Sequence, residues 1–192
     1  MKKLLLITAA MLMATSAFAI VDPDPDMMGF YFDLEADLPF VDDVPLYSQV
    51  PMYLILTRPT ADMIYGFEAG FTLEGDGIIL NHSFAVDDYI NVGTFENMII
   101  GFGVPLPTTP ATLLVTYSVL YMDSSMSALD FYLHGTIPSS INPLYPVILL
   151  ADGVLQGVGL SAEFGPTAQI NGGGMVVSTD NVSFDGIKSL YR

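Results

Sequence analysis

Between Tyr65 and Leu73 the chain alternates with a period of two. Tyr65, Phe67, Ala69, Phe71 and Leu73 fall on one side of an extended backbone, and Gly66, Glu68, Gly70 and Thr72 on the other. A helix repeats every 3.6 residues and cannot gather such a set on one stripe, so the run reads as a half-buried strand. Further strands are read at 29–34, 50–57, 97–104 and 175–179, alternation recurs at 129–134 and 153–164, and 147–151 reads as a short, fully apolar strand, with Gly, Pro, Asn and Asp between the runs. Asp76-Gly77 predicts a turn that returns residues 78–85 as a hairpin partner. Pro105 and Pro107 are predicted to close the strand before them. Residues 111–122 fit both periods, because Leu113, Tyr117, Leu120 and Tyr121 would also make a helical stripe. The β-branched Thr112, Val115, Thr116 and Val119 decide for a strand. About nine short strands and no long amphipathic helix predict an all-β chain, a single β-sandwich of immunoglobulin-like or jelly-roll type.

The flanks read differently. Lys2 and Lys3 precede an apolar run from Leu4 to Met13, and Ala17-Phe18-Ala19 is a small-x-small cleavage site. This is the layout of a secretory signal peptide cut between Ala19 and Ile20. It predicts export to the periplasm or the cell exterior. The expected organisation is a signal peptide at 1–19, an extended lead-in at 20–28, a sandwich at 29–180 and a C-terminal tail at 181–192. Prolines at alternate positions in Asp22-Pro23-Asp24-Pro25-Asp26 keep the lead-in out of helix and central strand. Its aspartates lack the glycine and closing glutamate of an EF-hand loop. In the tail, Ser183 can cap a short helix with Asp185 early and Lys188 and Arg192 late. That segment reads either as an element docked on the sandwich or as an attachment tag.

Charge narrows the partners. The chain has 21 acidic and five basic residues and a formal net charge of −16, and cleavage would leave only Arg58, Lys188 and Arg192 as basic groups. Such a surface repels phosphate backbones, so nucleic acid is excluded as a partner class. Clustered carboxylates make calcium the one cofactor to consider, with Asp42, Asp43, Asp87 and Asp88 as candidate ligands. The absence of cysteine removes disulfides and a lipid-anchoring cysteine, and leaves stability to apolar burial, which the 52% hydrophobic composition permits. No apolar run after the signal is long enough for a transmembrane helix.

Catalytic constellations are thin. There is no G-x-S-x-G elbow, and the only histidines are His82 and His134. Asp130, Tyr132 and His134 alternate and therefore share one strand face, where a solvent-facing role outweighs a metal or acid–base one. Asp42-Asp43, Asp87-Asp88 and Glu68 with Glu74 offer carboxylate pairs of the kind a glycosidase uses. Without tryptophan, a sugar platform would fall to tyrosines such as Tyr31, Tyr53, Tyr65, Tyr89, Tyr117, Tyr121 and Tyr132, several of which alternate into a core. No catalytic residue is assigned. The Gly70–Glu74 letters match a prepilin cleavage motif, but they sit mid-chain with no apolar helix after them.

From Tyr53 to Tyr117 the chain resembles the sandwiches of cohesins and related carbohydrate-binding modules. The likeness runs through Tyr53-Leu54-Ile55-Leu56-Thr57, then Ile64-Tyr65-Gly66-Phe67-Glu68-Ala69-Gly70-Phe71-Thr72-Leu73. It continues through Met98-Ile99-Ile100-Gly101-Phe102 and the long strand from Leu113 to Met122. The resemblance implies a non-catalytic binding, adhesion or scaffold-like module that recognises a protein or a glycan. The alternatives are a structural surface protein held by its tail, a carboxylate-dependent glycoside hydrolase and a small outer-membrane β-barrel.

Overall fold

The computed structural model describes residues 24–173. The signal segment with its Ala19–Ile20 junction, the strand expected at 175–179 and the tail at 181–192 lie outside the described residues.

The described residues are built almost wholly from strands: β1 (Met27–Tyr31), β2 (Phe40–Val41), β3 (Gln49–Thr57), β4 (Met63–Glu74), β5 (Gly77–Phe84), β6 (Tyr89–Asn91), β7 (Asn97–Pro107), β8 (Ala111–Tyr121), β9 (Leu129–His134), β10 (Val147–Leu149), β11 (Leu155–Gly157), β12 (Gly159–Leu160) and β13 (Ala168–Ile170). The first sheet has the order β12-β1-β3-β8-β5. The second is arranged about β4. One side of β4 carries β7, which carries β6. The other side is shared: β10 pairs with Gly66–Glu68 and carries β11, while β9 pairs with Gly70–Glu74 and leads on to β13 and β2. Neither sheet closes on itself, so the barrel alternative gives way to an open two-sheet sandwich. No helix among the described residues is long and apolar enough to cross a membrane.

The core lies between the sheets. Phe30 and Tyr117 of the first sheet meet Phe71 of the second at centroid distances of 5.7 and 5.8 Å, mostly edge to face. Met28, Leu54, Leu56, Val119, Phe67, Met98 and Phe131 fill the space around them. Each such aromatic pair adds about 0.5–1.5 kcal/mol beyond its buried area. A second, smaller core sits on the outer face of the first sheet. Tyr31, Ala36 and Ile55 are buried there, with Tyr53 and Leu113 packed against them. Asp33 holds the overlying loop by accepting the Asp37 and Leu38 amides at 3.0 and 3.1 Å.

Four sequence expectations are corrected. The turn at Asp76-Gly77 joins no hairpin: β4 lies in the second sheet, whereas β5 pairs with β8 in the first. Gly75, with φ +115°, makes the corner between sheets. β7 runs through Pro105 to Pro107, because past Phe102 its far side faces no strand and needs no amide there. The single strand expected at 153–164 is two short pieces, β11 in the second sheet and β12 in the first, with buried Val158 between them. Glu68 is not on a solvent face, for reasons that define the site below.

Candidate functional site

On the outer face of the second sheet, β6, β7, β4, β10 and β11 form a shallow groove of about 330 Å³. Its walls are Ile90 and Val92 from β6 and the loop after it, Ile99 from β7, Leu149 from β10 and Leu155 from β11. Ile90 and Val92 stand at its rim 70% and 72% exposed. Its base is made of Gly101 with Phe67, Glu68, Ile100 and Val147. Gly66 stands opposite Gly101, and a Cβ on Gly66 would lie 2.2 Å from the Ile100 carbonyl oxygen. The sequence therefore needs glycine at 66, and at Gly101, in the base of the groove, the space above the backbone is open.

The two ends of the groove differ. At one, the loop from Thr136 to Asn142 is clamped over β4. Glu68, only 6% exposed, accepts the Thr136 hydroxyl at 3.2 Å and the Ser140 amide at 3.0 Å, and its other oxygen accepts the Ser140 hydroxyl. Asn97 fixes the same loop through both amide atoms, donating to the Ile137 carbonyl at 3.1 Å and accepting its amide at 2.8 Å. Clamped in this way, the loop presents Ile137 and Ile141 to solvent beside the groove. The other end is acidic. The Asp88 carboxylate lies over Gly103, two residues beyond Gly101 on β7, and Asp152 sits in the short 3-10 turn that follows β10.

The remaining sequence candidates fall elsewhere. Asp42 accepts the Gly173 amide at 3.0 Å, and Asp43 follows it in the loop after β2, away from Asp87 and Asp88 at the start of β6. Among the described residues no three His, Cys, Asp or Glu side chains converge on a point that could hold a metal ion. Asp130, Tyr132 and His134 do share the outer face of β9. Asp130 accepts the Gln169 side-chain amide, while the His134 Nδ1 lies 2.6 Å from the Gly135 carbonyl oxygen, so each has its own partner. Burial, aided by Asp130 and Glu74, raises the Tyr132 pKa. Glu68 and Glu74, six residues apart on one strand, are about 20 Å from each other, beyond the span of a glycosidase pair. Of the tyrosines, Tyr31, Tyr117 and Tyr121 are fully buried, and Tyr89 packs on Phe84 at 4.4 Å.

An all-β open two-sheet sandwich is the class that this geometry defines. Among solved structures the chain is similar to the sixth cohesin of Acetivibrio cellulolyticus scaffoldin B, solved in complex with a Cel5 dockerin. The TM-score is 0.53 at 8% identity, over 78% of this chain and 99% of that one. A cohesin module of a Clostridium perfringens family 33 glycoside hydrolase matches at TM-score 0.46 and 11% identity, over 70% of this chain and 91% of that one. A cohesin in a Clostridium thermocellum cohesin–dockerin complex matches at 0.46 and 11%, over 78% and 96%. No protein-family model and no curated protein matches the chain. The cohesin-like β-sandwich read from the sequence is the fold of the described residues.

Proposed function

We propose that this chain is an exported, non-catalytic module that binds a protein partner on the β6-β7-β4-β10-β11 face. The observation that carries the reading is the groove walled by exposed aliphatic side chains over Gly101, with acidic residues at one end. Burying Ile90, Val92 and Leu155 under a partner would supply about 1.5–3 kcal/mol per side chain. The open space above Gly101 leaves room for a helix or an extended segment lying against the sheet. The Asp88 and Asp152 end favours a basic residue on the partner, since opposite charges at a rim steer association. A glycan fits less well: the groove presents no exposed ring, and Glu68, the acid at its floor, is already committed to Thr136 and Ser140. The cohesin whose fold the chain shares was solved with a dockerin, a protein partner, which supports the same choice. The Lys2–Ala19 pattern supports the export part of the reading.

The test is a peptide-display selection on the chain lacking residues 1–19, run in parallel on an Ile90→Lys, Val92→Lys variant. The expected result is enrichment of aliphatic sequences with a basic residue on the parent and its loss on the variant, with far-ultraviolet circular dichroism unchanged. Equal enrichment on both proteins, or glycan-array binding that the variant retains, would overturn the assignment.

A further inference from the structure

The groove suits a segment of this same chain. Its walls take aliphatic side chains, and its Asp88 and Asp152 end takes a basic one. Arg58 is the sole Lys or Arg among the described residues, and beyond the signal segment the only others are Lys188 and Arg192. Both stand in the tail, among Phe184, Ile187, Leu190 and Tyr191. The tail is thus the one stretch after residue 19 in which large apolar residues are joined to two cations.

The described chain also ends on the sheet that carries the groove. β13 is two strands from β4, across β9, and Ile170 is level with Gly75. At about 3.3 Å per residue and 4.8 Å per strand, Gly173 is at most about 40 Å from Gly66 along the sheet and about 10 Å across it. β13 is parallel to β4 and runs away from Gly66, so a tail bound for the groove must turn back. Gly172-Gly173-Gly174 stands where the turn is needed, and Gly173 has φ +68°. From there residues 174–187, extended, span about 46 Å, which brings Ile187 over Gly66. The polarity agrees as well. A chain returning from β13 meets the Thr136–Asn142 loop first and the carboxylates last, because Gly103 lies past Gly101 on the Ile64 side. Arg192 likewise follows Ile187, Leu190 and Tyr191.

We infer that the segment from Phe184 to Arg192 folds back over its own second sheet and fills the groove, so that an outside partner binds by displacing it. This rests on the reading of the groove as the partner face. A tethered segment is present at an effective concentration on the order of 1 mM, so a weak intrinsic affinity is enough to keep the groove covered. A tail from a second copy would first have to bring two strongly acidic bodies together, and the tail of the same chain does not.

The chain has no cysteine, so Ser189→Cys gives a single site for a nitroxide in the tail. The test is methyl NMR of the chain lacking residues 1–19 with that label. The expected result is broadening of Ile90, Val92, Ile99, Leu149 and Leu155 that persists on dilution. It should vanish when nitroxide-bearing chain without isotope is mixed with isotope-labelled chain without nitroxide. Broadening in that mixture would assign the groove to the tail of a second copy and overturn the inference, as would broadening elsewhere or nowhere. A second arm uses the Ile187→Asp, Leu190→Asp variant and the peptide selected on the parent. The variant should bind it about tenfold more tightly, as a groove open about one-tenth of the time in the parent requires. Equal affinity would overturn the inference. The two readings fail separately. Peptide shifts at the groove without broadening from the tail remove the internal ligand and leave the partner face. A peptide that shifts only methyls elsewhere removes the partner face, and displacement with it.

Discussion

Glu68 shows how much one side chain can hold in place. It stands on a strand where alternation marks its face as polar, yet it is buried because the Thr136–Asn142 loop folds over it. A buried carboxylate with three donors is retained by charge-assisted hydrogen bonds, each contributing about 1.5–3 kcal/mol. Glu68→Ala is therefore expected to lower unfolding free energy by about 3 kcal/mol in urea denaturation, near the upper end for loss of a buried network. It should also speed hydrogen exchange at Ser140. Unchanged exchange there would show that the loop is held by Asn97 alone. Tyr117 gives a second handle. It is fully buried, its hydroxyl lies 3.5 Å from the Met98 sulfur, and burial raises its pKa above the ordinary 10.0. A raised folded-state pKa means the unfolded chain ionises first. Stability is complete below about pH 10 and falls as pH rises beyond it, by up to about 1.4 kcal/mol per pH unit for this group. Tyr117→Phe should flatten that alkaline slope by about half a proton at pH 10 and by nearly one at about pH 11, as read from urea unfolding. An unaltered slope would assign it to other tyrosines.

The corner between β4 and β5 explains what could and could not be read at the level of elements. Strands β3, β4, β5, β7, β8 and β9 were legible because each is long enough for its period to show. The choice between hairpin and corner at Asp76-Gly77 was not, since both need a tight turn with glycine and differ only in which distant strand pairs next. Here β8 takes β5, and the Asp76 carbonyl accepts the Met122 amide at 2.9 Å to hold the bend. Gly75 has φ +115°, and a Cβ there would lie 2.5 Å from the Ala128 carbonyl oxygen. Gly75→Ala should destabilise by about 1–3 kcal/mol, measured by chemical denaturation. A neutral result would mean the corner can re-form without a positive φ. The groove was the least legible part. Tyr89-Ile90-Asn91-Val92 alternates, but β6 is only three residues long, too short for a pattern to stand out. The pairing of Gly66 with Gly101 is a long-range register that local sequence does not encode.

At the scale of the molecule, the two sheets enclose an aromatic core while their outer faces differ in cover. The first sheet's outer face is covered over Ile55 by its own loop, and the second's is left open at the groove. The candidate calcium carboxylates are dispersed, which bears on calcium. With Asp42 and Asp43 far from Asp87 and Asp88 and no three such ligands converging among the described residues, melting curves in calcium and in chelator should superimpose. A rise of several degrees with calcium would reveal a site made with residues beyond 24–173. The central claim is that partners are taken on the face of β6, β7, β4, β10 and β11. Methyl NMR of the chain titrated with a peptide selected on it tests that claim most directly. The account predicts shifts confined to Ile90, Val92, Ile99, Leu149 and Leu155, with Ile78 and Leu80 unmoved. Shifts centred on β5, or on the loop-covered face of the first sheet, would contradict it.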